Sequence, residues 1–467
     1  MQNAILVTAC ILVTGFAGWG TLLLISGRKQ FNDISFFEKI GLSCLFGFGV
    51  ISIQMFIMSL FKIGFTKFNI LIPWAVAGAG FVLAHKRKQI PVPGIARERD
   101  LSPLRGNEIA LICLIAFQAL YNFFRALIKP IEAYDAVAIY GLKSKMIYLS
   151  GTVSGNFFQS LASNFYGAHP DYPLLIPLSE TWFYTFIGKF DDLLVKAIFP
   201  IFYLSFILVF YAALKRITQS RGFSLLFTFA LASVKQFSDY STISYAELAL
   251  GAYFAISLIY LYLWMRNRGN SSFLNISLIA SLLCLWTKNE GTLLALMILF
   301  IFFFYIAMNI RKIGKTEILH FLIYALVVLV TIMSWSAFKN HHALVNENFN
   351  LSMVSVKDFI QNLNRIPAII YEYQKQFFGF KKWNIVWILF IILLLKERET
   401  ALSGDTKYVT LVFFLFGLGY ALIYIFSTVE IRFFTQTTGS RFLLHILPVT
   451  IFWMGVVANK GKLIENL

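Results

Sequence analysis

The sequence predicts an all-α protein that crosses a membrane many times. The first observation is composition. Of 467 residues, 58% are hydrophobic and 13% charged, about half the charged share of an ordinary soluble domain, and the mean hydropathy is +0.72. The second is the recurrence of apolar runs close to the ~20 residues that a helix needs to cross a bilayer. The third is the placing of positive charge. Lys and Arg gather in alternate gaps between the runs, as in cytoplasmic loops. The net charge of +17 is therefore read as topology charge, with some residues available to anionic lipid phosphates, and not as a nucleic-acid surface. Fifty Phe and 21 Tyr suit lipid-facing helices and interfacial belts.

Thirteen runs are read as spans: residues 4–26, 40–61, 69–84, 108–128, 194–214, 222–236, 245–265, 272–287, 291–308, 317–337, 384–395, 408–427 and 441–459. The first has no basic leader region and no small-residue cleavage site, so it reads as a retained span. Alternate gaps carry Arg28, Lys29 and Lys39; then Lys86, Arg87, Lys88, Arg97, Arg99 and Arg105; then Lys215, Arg216 and Arg221. The series continues with Arg266 and Arg268; Arg311, Lys312 and Lys315; Lys396, Arg398 and Lys407; and the tail Lys460 and Lys462. The positive-inside rule makes this side cytoplasmic, with the N-terminus outside and the C-terminus inside. The alternation holds only if residues 172–188 do not span. That segment contains Pro173, Pro177 and Glu180 and reads as a helix lying in, or dipping into, the outer interface.

Three regions follow: 1–107 with three N-terminal spans, 108–337 with the long outer loop 129–193, and 338–467 with a second outer loop at 338–383. Short outer turns fall at 235–244, 287–291 and 427–441. The cytoplasmic loops hold no GxxxxGK[ST], and no GxGxxG opens a helix after a strand, which argues against a nucleotide-driven machine. The four cysteines, Cys10, Cys44, Cys113 and Cys284, all sit inside apolar runs, so neither a disulfide nor a cysteine metal site is expected. The adjacent pair His341 and His342 points apart on a helix and does not make a metal site.

Residues 130–177 are where chemistry is expected. This polar stretch is far longer than a turn between spans needs. It carries Glu132, Asp135 and Asp171, the bases Lys143 and Lys145, and His169. Asp135 comes shortly after a span and so lies near the membrane surface. It is a candidate general base or else the N-cap of a helix over 136–145; Glu132 is the understudy. Asp171 either orients His169 or binds a hydroxyl, or the pair belongs to a rigid turn set by Pro170 and Pro173. Arg441 opens the last run on the outer side. Its guanidinium suits phosphate oxygens, or it snorkels to the interface, with Arg432 a competitor. Lys196 and Lys288 are candidate phosphate ligands or interfacial anchors. Glu247 and Glu290 lie near the outer ends of spans, where ionisable groups often mark function. Tyr371, Tyr373 and Trp383 either stack on a sugar or mark the interface.

In their order and common outer placement these elements resemble the GT-C class of membrane glycosyltransferases, closest to the branch of the protein O-mannosyltransferases and the aminoarabinose lipid A transferase. The matching residues are Tyr134-Asp135 followed by Tyr140, and His169-Pro170-Asp171-Tyr172-Pro173-Leu174-Leu175, an expanded form of the family's His-Pro-Pro-Leu. Lys196 and Pro200 resemble its basic residue and Pro at the next span. Trp286-Thr287-Lys288-Asn289-Glu290-Gly291 resembles its Thr-Lys-Gly turn, and Ser440-Arg441-Phe442 through Pro448 its late Arg-then-Pro helix. The likeness covers about residues 108–300 and 427–459. The chain departs from the pattern in having three spans before the loop and Asp135-Ala136 in place of Asp-Glu.

The resemblance implies a GT-C-like bundle of about 13 spans, with interfacial helices in a catalytic outer loop. It implies an inverting transfer of a sugar from a polyprenyl-phosphate carrier to a lipid, glycan or protein acceptor. Asp135, with Glu132 in reserve, would be catalytic. Tyr134, His169, Asp171, Lys196, Lys288, Glu290, Arg432 and Arg441 would bind substrate. No cofactor is called for beyond the donor. No metal cluster stands out, although a single carboxylate-bound ion would leave no such signature. Compact loops and the absence of a C-terminal retrieval signal point to a bacterial inner membrane, with the site on its periplasmic face. Two other classes fit the same topology: a polysaccharide polymerase or ligase using diphosphate-linked glycans, and a secondary transporter or flippase. Transporters tend to show repeats and broken helices at mid-membrane, whereas the charged residues here gather at the outer ends of spans.

Overall fold

The computed structural model describes residues 2–88, 103–153, 155–164, 167–346 and 355–461. Among these the chain is 82% helix without strands. Arg97, Arg99 and Lys462 of the basic gaps lie outside the described residues, as do residue 154, 165–166 and 347–354 of the two outer loops.

The first region comprises α1 (Gln2–Phe31), α2 (Phe36–Leu60) and α3 (Lys67–Lys88). α4 (Gly106–Ala126) leads into the first outer loop, which holds α5 (Leu142–Ser150), α6 (Gly155–Asn164) and α7 (Leu175–Ile187). Next come α8 (Ile198–Thr218), α9 (Arg221–Ala232), the short α10 (Lys235–Tyr240), α11 (Glu247–Arg266), α12 (Ser271–Thr287), α13 (Glu290–Met308) and α14 (Lys315–His341). The second outer loop is largely helical, with α15 (Val356–Gln361), α16 (Ile366–Phe377) and α17 (Phe380–Trp383). The chain closes through α18 (Val386–Lys396), α19 (Arg398–Leu402), α20 (Thr406–Phe426) and α21 (Ile431–Lys460).

Each of the thirteen apolar runs falls on a helix, but their lengths differ. Among the described residues nine helices are long and apolar enough to cross a membrane, while α9, α12 and α18 are shorter apolar helices. By that measure the described residues give nine candidate spans, against the 13 read from the sequence. Hydropathy alone could not separate a run buried among neighbouring helices from one long enough to reach both interfaces.

The nine are unequally enclosed. The apolar window of α11 is 100% buried and that of α21 94%, against 11% for α14 and 17% for α4. α11 and α21 therefore form the centre, and α4 and α14 present apolar side chains to lipid. α1 and α2 approach through small residues. A Cβ on Gly47 would fall 2.0 Å from the Thr14 carbonyl oxygen, so only glycine permits this backbone contact.

The basic gaps meet at one end of the bundle. Arg216 bonds Glu38 at 2.6 Å and the Asp33 carbonyl at 2.7 Å. Arg221 bonds Glu108 at 2.7 Å, Arg268 the Lys312 carbonyl at 2.9 Å, and Lys460 Thr406 at 2.6 Å. These bonds join the ends of α2, α4, α8, α9, α11, α14, α20 and α21 that face away from the long outer loops.

α7 has 13 residues, about 20 Å of helix, too short for a ~30 Å hydrocarbon core. It does not lie flat at an interface. Its side chains are almost all buried, and Trp182 donates to Thr14 Oγ1 in the middle of α1 at 2.9 Å. Leu, Ile, Trp and Phe occupy every face of this helix, so it is inserted into the bundle.

Candidate functional site

Asp135 is delivered by the crossing from α4 into the outer loop. Lys196 holds that crossing: its Nζ donates to the carbonyl oxygens of Lys129 and Pro130 at 2.8 and 3.4 Å. Lys196 thus satisfies backbone acceptors and is not in the charged cluster. After Asp135 the chain forms a six-residue π-helix, Ala136–Gly141, a rare turn often found at functional sites. The capping role weighed for Asp135 is corrected here. Its side chain makes no cap hydrogen bond; it pairs instead with Arg441 of α21.

Arg441 does not open the last helix. α21 begins at Ile431, with Glu430 capping it through the amides of Arg432 and Phe433 at 3.0 and 2.7 Å. The threonines of 431–441 return their hydroxyls to carbonyls of the preceding turn, Thr435 to Ile431 at 2.8 Å and Thr437 to Phe433 at 2.9 Å. A polar stretch that reads as a loop is thereby kept helical. Arg441 sits about three turns, or ~15 Å, inside the helix. Its guanidinium lies 5.0 Å over the Tyr245 ring, and the Tyr245 hydroxyl accepts the Asp135 amide at 3.3 Å.

From Arg441 the charges alternate inward. Arg441 Nη1 is 3.8 Å from Glu247 Oε1. The same oxygen is 3.2 Å from Lys288 Nζ, which lies 3.0 Å from Glu290 Oε1. Three carboxylates thus face two cations. Glu247 opens α11, and Lys288 and Glu290 border the turn between α12 and α13. Gly291 makes that turn possible: a Cβ there would fall 1.8 Å from the Cys284 carbonyl oxygen. Asn289, in the same turn, donates to Asp171 Oδ2 at 2.5 Å. Lys288 also lies 5.7 Å over the Tyr172 ring.

Asp171 is fully buried. Burial, only partly offset by the Asn289 bond and the charge of Lys143, raises its carboxyl from 3.8 to about 6. His169 stacks on Tyr172 with ring centroids 4.6 Å apart. Its backbone takes φ 45°, a left-handed conformation that a non-glycine residue holds only with support; Lys143 supplies it by donating to the His169 carbonyl at 2.5 Å. Burial, then the charges of Lys143 and Lys288, lowers the imidazole to about 4, so the ring is neutral at pH 7. Three carboxylate oxygens of the group, Asp171 Oδ1, Glu247 Oε2 and Glu290 Oε2, are buried and accept no hydrogen bond from the described residues. Such acceptors are costly unless a ligand or water donates to them.

The structure therefore divides the sequence candidates. Asp135, Asp171, Lys288, Glu290 and Arg441 converge, with His169 beside Asp171. Glu132 is exposed and pairs with Lys129 at 3.4 Å; with Lys196 and Arg125 it lines a separate cleft of about 260 Å³. Tyr134 is 71% exposed, with its hydroxyl beside Gly167. Arg432 is exposed on the first turn of α21. Glu247, noted in the sequence only as an ionisable group at a span end, is the hinge of the cluster. Tyr245 was missed, and Tyr172 and Asn289 entered only as members of the two motifs, without a role: a tyrosine or an asparagine near a span end carries no signal of its own. Among the described residues no group of three or more His, Cys, Asp or Glu is placed to hold a metal ion. No protein-family model, curated protein or solved structure matches the chain.

Proposed function

We propose that this chain is an inverting glycosyltransferase. It takes a sugar from a polyprenyl-phosphate carrier and passes it to a lipid, glycan or protein acceptor, at the periplasmic face of a bacterial inner membrane. In this reading the bundle is GT-C-like, with about thirteen helices embedded. The observation that carries the proposal is the meeting of Asp135 and Arg441, 306 residues apart in sequence, at the end of the bundle opposite the basic gaps. A general base and a phosphate-binding cation are the two groups the transfer needs, and they meet where the crossing out of α4 reaches the enclosed helix α21.

Asp135 takes the proton of the acceptor hydroxyl. The acceptor oxygen then bonds to the anomeric carbon from the face opposite the phosphate. The bond from that carbon to the phosphate oxygen breaks, and its electron pair leaves with the polyprenyl phosphate. Arg441 meets the negative charge that collects there. The bare acceptor oxygens of Asp171, Glu247 and Glu290 suit sugar hydroxyls. A proton-coupled transporter is the second reading, since buried alternating charges also serve proton relays.

The test is transfer of radiolabelled sugar from a polyprenyl-phosphate donor in membranes holding the wild type or Asp135→Asn, followed by extraction of lipid, glycan and protein. Label should move into one acceptor fraction, and Asp135→Asn should lower the rate by about 10²–10⁴. Label that crosses the membrane still attached to its original carrier would favour the transporter.

A further inference from the structure

The cation that the transfer reading assigns to the phosphate is already engaged. Arg441 pairs with Asp135 and has Glu247 at 3.8 Å as its second carboxylate. Lys288, the other buried cation of the cluster, is held between Glu247 and Glu290. An anionic ligand entering here meets a site with more carboxylates than cations, and must replace a carboxylate to reach a guanidinium. Asp135 is the carboxylate free to yield. It lies at the entry to a π-turn, its side chain makes no cap bond, and its side chain keeps 19% exposure, whereas that of Glu247 keeps 1% and is shared with Lys288.

We infer that the phosphate of the polyprenyl donor displaces Asp135 from Arg441, and that this exchange arms the base; the inference rests on the transfer reading above. While paired with Arg441 the carboxylate already accepts a guanidinium N–H on Oδ2, and that oxygen is closed to the acceptor hydroxyl. Once phosphate oxygens take the guanidinium fork, Asp135 loses that partner and its freed oxygen can receive the proton of the acceptor hydroxyl. A chain without donor therefore keeps its base occupied by Arg441, and water or acceptor alone is not activated. The order of events is donor first, acceptor second.

The test is binding, which needs no turnover. Farnesyl phosphate, a short carrier monophosphate, is titrated into the full chain in nanodiscs of neutral lipid. Four forms are compared: wild type, Asp135→Asn, Arg441→Ala and the double variant. Competition predicts that Asp135→Asn binds about ten-fold more tightly than wild type, the worth of one charge-assisted contact no longer given up. In the Arg441→Ala background the same change should give no gain, because nothing remains to compete for. Should Asp135→Asn fail to assemble, Asp135→Ser removes the same charge. Equal or weaker binding by both Asp135 variants overturns the exchange and leaves the transfer reading standing. A ten-fold gain that persists without Arg441 also overturns it, since relief of simple repulsion would then be the cause. Failure of the wild type to bind farnesyl phosphate at all overturns the transfer reading and the exchange with it.

Discussion

Arg441 and Asp171 show how a single side chain takes its meaning from its partners. In the transfer reading Arg441 grips the donor as negative charge develops on the phosphate. Arg441→Ala should lower kcat/KM for donor by about 10²-fold, one charge-assisted contact of about 3 kcal/mol. Arg441→Lys should recover only part, since lysine supplies a point charge in place of a fork. Kinetics with donor and acceptor varied separately will check this, and a loss confined to the acceptor KM would remove Arg441 from the phosphate. Asp171 bears on pH. Burial raises its carboxyl from 3.8 to about 6, so its protonated form stabilises the fold below about pH 4 and that contribution is lost as pH rises through 6, by at most about 3 kcal/mol. His169, lowered from 6.5 to about 4, acts in the opposite sense: its contribution is present above 6.5 and lost as pH falls through 4. Asp171→Asn removes the first trend and keeps that of His169. Relative to wild type, the variant should gain thermal stability between pH 4 and pH 7 in detergent, and a difference in Tm that does not vary with pH would show that Asp171 is not buried as an acid.

Among the elements, the turn between α12 and α13 decides most. It places Lys288, Asn289 and Glu290 together, and it exists because Gly291 lets α13 begin against the Cys284 carbonyl. Gly291→Val must push the two helices apart. The expected cost is about 1–3 kcal/mol of stability, the usual penalty of overpacking. The larger effect should be on turnover, about 10²-fold for a shift near 1 Å. Helix content by circular dichroism should stay unchanged while label transfer falls; full activity would mean that the turn does not position the cluster. α21 carries a related lesson. Its first turns look like a loop because they are rich in Thr and Gly, yet hydroxyl bonds to preceding carbonyls and the Glu430 cap keep them helical. That extension moves Arg441 from the expected helix start into the enclosed part of the bundle, where it can reach Asp135.

For the whole molecule, the arrangement of charge predicts sidedness. The basic gaps meet at one end, through Arg216 with Glu38 and Arg221 with Glu108, and the charged cluster lies at the other. In whole cells of a variant with Cys113 replaced by Ser, a membrane-impermeant thiol reagent should label Lys189→Cys and spare Lys312→Cys until the cells are opened. Both positions are exposed in the structure, so accessibility to the reagent turns on the membrane alone. Labelling of Lys312→Cys from outside would invert the topology and place the cluster on the cytoplasmic side.

Composition and periodicity were enough to establish a helical membrane protein, the position of every apolar run and the shared end of the basic gaps. Those properties are local: hydropathy summed over ~20 residues and positive charge near span ends need no knowledge of neighbours. The sequence also marked Asp135, Asp171, Lys288, Glu290 and Arg441, since ionisable groups are conspicuous against apolar runs. It could not pair them. Which runs lie at the centre, which are shorter than a span, and that α7 is inserted into the bundle all depend on helix packing. The partnership of Asp135 with Arg441 joins residues 306 positions apart, and Glu247 became their neighbour only through the contact of α11 with α21. An ion pair inside a bundle is a property of two helices meeting, and the chain records where those helices meet in side-chain shape and glycine contacts spread along its whole length, not in the charged residues themselves.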